Sequence, residues 1–386
     1  MSKIRVLLII SRLNVGGAAQ HVLLLARNLK PSQYEVLIVA GQEPAGEIRA
    51  QKWIEAYEVP IIYIPSMQRE PSWQEDMRAL FYLWRLMRRW KPHIVHTHTA
   101  KAGALGRIAA WLAGVPVRIH TFHGHSFRGY FSSLLSRIYL QIERLLARLT
   151  HRIIALSEGQ KQELAESYRV APPKKIVVIP LGLPLDTLNS YDAEAVSKLR
   201  AQWQKSEAGL LLGWTGRLVP IKRVDRLIRA LPELVKRFPN LRLVIVGEGP
   251  ERTHLERSTH ALSLEERIVW AGLRWDIPVV LRALDALVLV SDNEGTPVSL
   301  IEGLACGVPV AALPVGGVPD ILEKGKWGFL LYEPLEKSLE EFLLSLPAYK
   351  ARAESAQKYI QEKYGEKRLL RDIEDLYSSL YASTKP

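Results

Sequence analysis

The chain has 386 residues, which is long for one hydrophobic core and sufficient for two domains. Its 48% hydrophobic and 24% charged residues are ordinary for a globular protein, and the single cysteine, Cys306, excludes a disulfide framework and a cysteine-rich metal site. No stretch reaches about 18 uninterrupted apolar residues, and the N-terminal apolar run is too short for a signal peptide. We therefore expect a cytoplasmic protein, either soluble or peripheral on the inner face of the cell membrane.

The net charge of +12 lies entirely in the first half of the chain. Residues 1–190 contain 25 Lys and Arg against 13 Asp and Glu, whereas residues 191–386 contain 27 of each group. A basic half indicates an anionic partner, which can be nucleic acid, a phosphorylated substrate or an acidic membrane surface. The cations alternate with long apolar faces rather than with aromatic platforms on strands, so nucleic acid is the least favoured of the three.

Short apolar strands alternate with amphipathic helical patterns along the whole chain. In the first half, the predicted strands cover residues 4–10, 34–40, 60–65, 93–98, 117–122, 152–157 and 175–182. In the second half, they cover residues 209–216, 241–247, 267–272, 285–291 and 308–314. Continuous Val, Ile and Leu runs separated by helices are typical of parallel sheets covered on both faces. Two such series, joined near residues 183–205, predict an α/β fold with two doubly wound, Rossmann-like domains.

Glycines follow the first predicted strand. Ligands of open parallel sheets bind at the carboxyl ends of the strands, and helix starts that face this edge bind anions. Gly16 and Gly17 open an amphipathic helix there, so backbone N–H groups can approach a phosphate. The sequence has no lysine followed by serine or threonine at this turn, which excludes a P-loop.

Two histidine-rich segments, HTHTAKAG (96–103) and HTFHGHSF (120–127), follow later strands. They supply four candidate polar residues, namely His98, Lys101, His123 and His125. Histidines two residues apart can bind a metal ion, but no carboxylate completes either segment. The pattern therefore favours a polar acceptor pocket or a single catalytic histidine over a metal site.

Two cations, Arg217 and Lys222, stand between a strand end and a helix in GWTGRLVPIKRVDRLIRAL (213–231). They can neutralise a diphosphate, the arginine through two parallel hydrogen bonds and the lysine as a point charge. A solvated basic loop is the alternative. The next strand ends in VIVGEGP (244–250), whose two glycines fit the dinucleotide fingerprint poorly because Pro250 follows them.

Two glutamates, Glu294 and Glu302, frame a Gly-Thr-Pro turn in SDNEGTPVSLIEGLACGVPV (291–310). We predict Thr296 as the N-cap and Pro297 as the first helical residue, so that free N–H groups form an anion site. The carboxylates can then bind hydroxyl groups on either side of a diphosphate. The alternative is that Glu294 interacts with the helix dipole and Glu302 is a surface residue.

These residues together resemble the retaining nucleotide-sugar glycosyltransferases with the GT-B fold, specifically glycosyltransferase family four. The resemblance covers nearly the whole chain, and its most specific part is the E-x7-E element from Glu294 to Glu302 combined with Arg217 and Lys222. The histidine-rich segments look like those of bacterial enzymes that build capsular or exopolysaccharide repeat units.

The resemblance implies two Rossmann-like domains that face a cleft. It assigns residues 1–185 to an acceptor-binding domain, residues 186–365 to a nucleotide-sugar-binding domain, and residues 366–386 to a helix that crosses back to the first domain. The donor is expected to be a UDP-sugar, and the acceptor a glycan or a lipid-linked group such as a polyprenyl diphosphate sugar. An anionic membrane surface is a further expected partner, and nucleic acid is not.

The resemblance also implies roles for single residues. Arg217 and Lys222 would bind the donor diphosphate, Glu302 the ribose and Glu294 the transferred sugar. Gly16 and Gly17 would close on the phosphates, and His123 would sit beside the reacting carbon. Other donor-binding positions would be Gly247, Gly272, Leu273, Arg274, Gly295, Thr296 and Pro297. The weaker candidates for acceptor binding are His98, Lys101 and His125.

The expected chemistry needs no metal ion or other cofactor. The fixed positive groups near Arg217, Lys222 and the helix start can stabilise the leaving diphosphate, and no Asp-x-Asp stands at a strand end to hold a metal. Three alternatives remain open, namely a GT-B sugar phosphorylase, a nucleotide-sugar epimerase and a basic nucleic-acid-binding protein.

Two helical segments carry further expectations. The segment 131–149 has apolar residues at helical spacing bordered by arginines, so it can lie on an anionic membrane or pack its stripe on its own sheet. The segment 366–381 has one strong apolar face, which the resemblance places against the first domain.

Overall fold

The structure is a computed structural model that describes residues 3–42, 50–68, 72–124, 133–204 and 209–384. The chain forms two compact units. The first contains residues 1–183 together with residues 366–386, and the second contains residues 184–365. Each unit carries one parallel sheet with a doubly wound strand order, which confirms the predicted α/β fold.

The sheet of the first unit has seven parallel strands in the order β3-β2-β1-β4-β5-β6-β7. Its strands are β1 Ile4–Ile10, β2 Tyr34–Gly41, β3 Ile61–Ile64, β4 Ile94–His98, β5 Val117–Thr121, β6 Arg152–Ala155 and β7 Ile176–Val178. The direction of strand progression reverses between β1 and β4. Doubly wound sheets bind ligands beyond the carboxyl ends of the strands at such a reversal.

The side chains of β1 show why this segment becomes a central strand. Val6, Leu8 and Ile10 enter the core on one face of the sheet, whereas Leu7 and Ile9 enter a separate core on the other face. Successive side chains of a strand point to opposite faces, so a run that is apolar at every position requires burial on both.

The helices of the first unit connect these strands. They are α1 Gly17–Asn28, α2 Gln51–Tyr57, α3 Trp73–Trp90, α4 Ala100–Leu112, α5 Ser133–Arg148 and α6 Glu158–Gln162, which continues as a π-helical turn over Glu163–Ser167. The final helix of the chain, Glu366–Ala382, belongs to the same unit. Within the described residues, no helix is both long enough and apolar enough to cross a membrane.

The final helix, α15 in chain order, packs on the first unit through its apolar face. Leu369, Ile373 and Tyr377 are fully buried in the same core as β1 and α1. A Cβ atom at Gly182 would lie 2.4 Å from the Cβ of Leu369, so the helix approaches closely only because this position is glycine. The Tyr377 hydroxyl also hydrogen-bonds Nδ1 of His96 on β4 at 2.7 Å.

The second unit has a sheet of six parallel strands in the order β10-β9-β8-β11-β12-β13. Its strands are β8 Leu211–Thr215, β9 Arg242–Val246, β10 Ile268–Gly272, β11 Ala286–Leu289, β12 Val310–Ala312 and β13 Phe329–Leu330. Its helices are α7 Ala193–Trp203, α8 Val224–Arg237, α9 Arg252–Ala261, α10 Ile277–Ala283, α11 Val298–Ala305, α12 Val318–Ile321, α13 Leu335–Leu344 and α14 Leu346–Tyr364. Here the strand order reverses between β8 and β11, so the loops after these two strands are the ones placed to bind a ligand.

All twelve predicted strands are present. The additional strand β13 has only two residues, and the sequence pattern did not predict it. The predicted helix start near residue 297 is corrected by one residue. Pro297 has an extended ψ of 102°, so α11 begins at Val298. Thr296 is therefore not the N-cap, and Pro297 in that position has no side chain that can cap the helix.

Candidate functional site

The loops after β8 and β11 bring together the cations and carboxylates that the sequence separates by about 70 residues. The backbone N–H of Asp292 donates to the carbonyl of Ile221 at 2.9 Å and joins the two loops directly. The ammonium group of Lys222 donates to Glu294 Oε1 at 2.6 Å. The strand reversal thus places Arg217, Lys222 and Glu294 on neighbouring loops, and we call these residues with Glu302 the second-unit cluster.

Glu294 is fixed before any ligand binds. Its side chain is 7% exposed, and Oε1 accepts hydrogen bonds from both Lys222 Nζ and Ser291 Oγ, each at 2.6 Å. A buried carboxylate needs such partners because its desolvation is otherwise costly. The contact also holds the Lys222 ammonium in place while leaving its other two N–H groups for a further acceptor.

Arg217 behaves differently from Lys222. It lies just after β8 and is partly exposed, and its guanidinium forms no hydrogen bond or ion pair with any residue in the described part of the chain. A guanidinium has five N–H donors in a planar fork, which suits a phosphate group. Arg217 is therefore free to bind an anion without first breaking a contact inside the second unit.

Glycines let three strand ends approach one another at this edge. Gly247 has a φ of 134°, and a Cβ atom there would lie 1.8 Å from the carbonyl oxygen of Gly216. Its N–H donates to the carbonyl of Gly272 at 2.8 Å. Gly247 and Gly272, both predicted to flank a base, thus hold the loops after β8, β9 and β10 together. Leu273 and Arg274 follow directly, and Arg274 hydrogen-bonds Asp276 at 2.9 Å.

A second glycine pair supports the Glu294 loop from the opposite side. Gly316 has a φ of 52°, and a Cβ atom there would lie 1.7 Å from the carbonyl oxygen of Glu294. Gly317 donates its N–H to the carbonyl of Gly295 at 3.1 Å. Sequence reasoning missed this support, although the Gly-Gly pair directly after the strand in PVGGVPD (314–320) was a usable signal.

Glu302 lies in the second turn of α11 and is only partly exposed. Burial raises the pKa of its carboxyl group to about 7. The protonated form is therefore more populated at neutral pH than it is for an exposed glutamate. Any ligand that donates hydrogen bonds to Glu302 favours its charged form, so such binding is coupled to loss of a proton.

The first unit gathers five histidines at the carboxyl ends of β4 and β5 and on α1. This histidine cluster comprises His21, His96, His98, His120 and His123. Sequence reasoning singled out His98 and His123 but not His96 and His120, which open the same two segments. It also missed His21, which reaches the cluster from a separate helix. His125 lies outside the described residues.

The histidines divide by their hydrogen bonds. His96 uses both ring nitrogens, on Tyr377 Oη and Thr121 Oγ1, each at 2.7 Å, so it has a structural role. His98 Nδ1 and His123 Nε2 share a hydrogen bond of 3.0 Å, whereas Nε2 of His98 and both ring nitrogens of His21 are buried without a partner among the described residues. The unsatisfied nitrogens mark the part of the cluster that is able to accept a ligand.

Burial keeps these imidazoles neutral. It lowers the pKa of His123 to about 4 and that of His96 to about 3, and it holds the pKa of His21, His98 and His120 well below the usual value, with their neighbours adding to the effect. A neutral His123 can orient or polarise a hydroxyl group, but it carries no positive charge at pH 7.

Three members of the cluster form the set that can hold a metal ion. Ring nitrogens of His21, His98 and His123 all lie within 4.8 Å of one another. Neutral imidazoles are the form that a metal ion requires, but the hydrogen bond between His98 and His123 gives two of these nitrogens another partner. The geometry permits a metal ion and does not require one.

The remaining predicted residues of the first unit are placed as follows. Gly17 is the first residue of α1, and a Cβ atom at Gly16 would meet nothing within 4 Å, so there is open space in front of the helix. Lys101 forms an ion pair of 2.5 Å with Asp76 on α3, which engages the charge that was predicted to bind an acceptor.

Comparisons with known proteins identify the class. Residues 15–187 match the family model described as Glycosyltransferase Family 4, and residues 196–364 match the model described as Glycosyl transferases group 1. Two parallel-sheet units of this kind define the GT-B architecture of glycosyltransferases. The chain belongs to glycosyltransferase family 4, and it is a glycosyltransferase.

Named relatives and solved structures agree with this assignment. The chain is 32% identical, over 71% of each sequence, to the UDP-Gal:alpha-D-GlcNAc-diphosphoundecaprenol alpha-1,3-galactosyltransferase of Escherichia coli. It is 24% identical to the capsular polysaccharide biosynthesis glycosyltransferase CapM of Staphylococcus aureus, over 85% of this chain and 87% of that protein. The structure of Anabaena HepE in complex with UDP is similar in fold, with a TM-score of 0.81, 22% identity and coverage of 97% of this chain and 100% of that one.

Proposed function

We propose that the protein transfers a sugar from a UDP-sugar to a glycan or lipid-linked acceptor in cell-surface polysaccharide or glycoconjugate synthesis, with retention of anomeric configuration. The observation that carries the proposal is the second-unit cluster, in which a free Arg217 shares the loop after β8 with a Lys222 already fixed by Glu294. The Escherichia coli relative is named for a UDP-sugar donor and a lipid diphosphate acceptor, which supports the same substrate classes here.

The cluster explains how the leaving group can depart. Cleavage of the bond between the sugar and the diphosphate places growing negative charge on the phosphate oxygens. Arg217, the free N–H groups of Lys222 and the first N–H groups of α11 are fixed donors for that charge. Because these groups are held by the fold, they need little reorganisation as the bond breaks.

Retention through a covalent intermediate on Glu294 is disfavoured. Both Lys222 and Ser291 hydrogen-bond its Oε1, and this engagement makes the carboxylate a poor nucleophile. We propose that the acceptor hydroxyl attacks from the face that the diphosphate leaves, and that a diphosphate oxygen takes its proton. His123 acts as a neutral imidazole that orients a substrate hydroxyl group.

A donor screen tests this function. Thermal unfolding would be measured with UDP-galactose, UDP-glucose, UDP-N-acetylglucosamine and GDP-mannose at equal concentrations. We expect a UDP-sugar to raise the melting temperature most, because a ligand bound only by the folded state stabilises it by mass action. The proposal would be contradicted if GDP-mannose stabilised the protein most. It would also be contradicted if the protein formed a sugar phosphate from inorganic phosphate in the absence of an acceptor.

Donor affinity should depend on pH through Glu302. In the ligand-free protein, the carboxyl group of Glu302 has a pKa of about 7, and hydroxyl donors of a ribose favour its ionised form. Binding therefore lowers this pKa and releases a proton, so affinity is greatest above pH 7 and falls as the pH decreases. We expect UDP-galactose to bind about tenfold more tightly at pH 8 than at pH 6.

Isothermal titration calorimetry in buffers of different ionisation enthalpy would measure both the affinity and the released proton. The control is Glu302→Gln, which should bind more weakly and show no such pH dependence. A UDP-sugar diphosphate does not titrate in this range, so a flat profile for the wild-type protein would exclude Glu302 from donor binding.

Catalysis should not need a divalent metal ion. The positive groups of the second-unit cluster supply the charge that Mg²⁺ or Mn²⁺ supplies elsewhere. After dialysis against excess EDTA, the rate of transfer should stay within about twofold of the untreated rate. Loss of transfer that Zn²⁺, Mg²⁺ or Mn²⁺ restores would show that a metal site is required, and the trio of His21, His98 and His123 would be the first place to look.

A further inference from the structure

The first unit has a cavity outside the residues considered so far, with a volume of about 410 Å³. It lies between the end of α5 and the chain that enters β7, and its lining combines small apolar residues with four cations, namely Arg144, Arg148, Arg169 and Lys175. Arg148 ends α5 shortly before β6 begins, and Lys175 directly precedes β7. The cavity therefore lies at the amino ends of these strands, whereas the histidine cluster lies at the carboxyl ends of their neighbours.

Four cations line this basic cavity, and no carboxylate does. Arg144 donates Nε and Nη2 to the carbonyl of Tyr168, at 3.1 and 2.7 Å. None of Arg144, Arg148, Arg169 and Lys175 forms an ion pair with a carboxylate of the described residues. Arg148 and Arg169 are exposed, whereas Arg144 and Lys175 are partly buried. Like charges gathered without a counterion repel one another, so the arrangement favours binding of an anion.

Two further cations, Arg152 and Arg118, act on Lys175 in this cavity. Burial lowers the pKa of Lys175, and the neighbouring Arg152 and Arg118 lower it further. The guanidinium of Arg118 is held by the carbonyls of Leu149 and Val115, each at 2.6 Å. These carbonyls fix its direction without neutralising its charge. A phosphate group would supply the missing negative charge, and arginine forks suit its oxygens.

An exposed apolar stripe leads along α5 to the cavity. The sequence left open whether the apolar residues of this helix pack on their own sheet, and the structure shows two apolar sides. Leu146 and Ala147 are buried, whereas four others remain 38 to 58% exposed, namely Leu135, Ile138, Ile142 and Leu145. Their spacing of three and four residues puts them on one face, and Arg148 continues that face into the basic cavity.

We propose that the basic cavity and this α5 stripe together dock on an anionic membrane leaflet, with the phosphate of a phospholipid headgroup in the cavity. A soluble phosphate would use the cations but leave the four apolar side chains in water. A helix that presents an apolar stripe bordered by arginines is suited to the boundary between headgroups and acyl chains. The proposal concerns a surface separate from the second-unit cluster and the histidine cluster, so it does not depend on the identity of the donor.

Vesicle sedimentation with the full chain tests the proposal. We expect binding to vesicles that contain phosphatidylglycerol at low salt, weaker binding at high salt, and little binding to phosphatidylcholine alone. The pair Arg148→Glu with Arg169→Glu should weaken binding by about 25-fold or more, since each cation near an anionic leaflet contributes roughly fivefold. The pair Ile138→Gln with Leu145→Gln should weaken binding at low and high salt alike, because the contribution of the two native side chains to membrane binding is apolar.

The matched control is Arg27→Glu with Lys350→Glu, which makes the same change in net charge at exposed positions that do not line the cavity. It should retain most of the binding. Equal losses in the two charge-reversed pairs would show that only net charge matters and would overturn the proposal. A soluble anion would be the better explanation if the protein failed to bind vesicles while inorganic phosphate raised the melting temperature of the wild type but not that of the variant with Arg148→Glu and Arg169→Glu. That result would overturn the proposal. Neither readout requires sugar transfer, so failure here leaves the proposed enzyme activity untouched.

Discussion

Arg217→Ala is expected to reduce kcat/KM for sugar transfer by about 10³-fold and to leave the melting temperature nearly unchanged. Removing a preorganised donor from developing charge typically costs about two to three orders of magnitude in rate. The melting temperature should stay nearly the same because the guanidinium has no partner among the described residues, so its removal leaves no other group without a hydrogen bond. Steady-state kinetics with a UDP-sugar and thermal unfolding of the same sample would measure the two effects.

The matched control is Arg229→Ala, which removes a cation from the neighbouring α8 whose side chain is 62% exposed and pairs with Asp225. Its activity should stay within about twofold of the wild type, because exposed ion pairs contribute little. Full activity of Arg217→Ala would contradict the assignment of the diphosphate to this loop.

Lys222→Ala should differ from Arg217→Ala in stability. Transfer should fall by a similar factor, but the Glu294 carboxylate would lose its cation while remaining almost buried. Leaving one partner of a buried pair alone costs several kcal/mol in general, and Ser291 would compensate only in part. A lower melting temperature for Lys222→Ala than for Arg217→Ala is therefore part of the expected result.

Removal of the last helix by ending the chain at Gly365 is expected to prevent stable folding of the first unit. Leu369, Ile373 and Tyr377 are fully buried, and a single Leu or Ile replaced by Ala in such a place costs about 2 to 5 kcal/mol. The loss of all three side chains together is therefore comparable to the whole stability of a typical domain, which is about 5 to 15 kcal/mol. Solubility and thermal unfolding would report the loss.

A graded variant keeps this test informative when the truncated chain does not fold. Ile373→Ala should lower the free energy of unfolding by about 2 to 5 kcal/mol. Asp375→Ala, at an exposed position on the same helix, should change it by less than about 0.5 kcal/mol. An unchanged unfolding curve for the truncated protein would show that the helix is dispensable.

The fold was predictable because the apolar runs are long and continuous. A segment such as IRVLLII can be buried at every position only in a sheet covered on both faces, and the structure sends its side chains alternately into two cores. Twelve strands were found in this way. The two-residue β13 was missed because it is too short to produce a period.

The candidate site was predictable only in its parts. Arg217 and Glu294 could be recognised because each follows a strand, but the contact of Lys222 with Glu294 depends on the strand reversal between β8 and β11. The Gly-Gly pair at Gly316 signals a tight turn, but the partner of that turn, the carbonyl of Glu294, is known only from the folded loops. Thr296 was wrongly predicted to cap a helix because the extended ψ of Pro297 delays the helix start by one residue.

Helix α5 shows the corresponding limit for surfaces. Helical periodicity indicates that a face is apolar, but it does not say what covers that face. The structure shows that part of the stripe is covered by the core of the first unit and that Leu145 and its neighbours on the same face are not. A surface of this kind is recognised only when burial and charge are known together.

The product of a single reaction tests the central claim most directly. EDTA-treated protein would be incubated with UDP-galactose and with GlcNAc-diphosphoundecaprenol or a short-chain analogue, the acceptor class in the name of the Escherichia coli relative. The anomeric configuration of the product would then be read from its proton NMR spectrum, and the other UDP-sugars would be tested in the same way. We predict transfer from a UDP-sugar with an α linkage, as the proposed retention of the donor's α configuration requires. A β-linked product, or transfer from none of the UDP-sugars while a GDP-sugar is used, would contradict the proposed function.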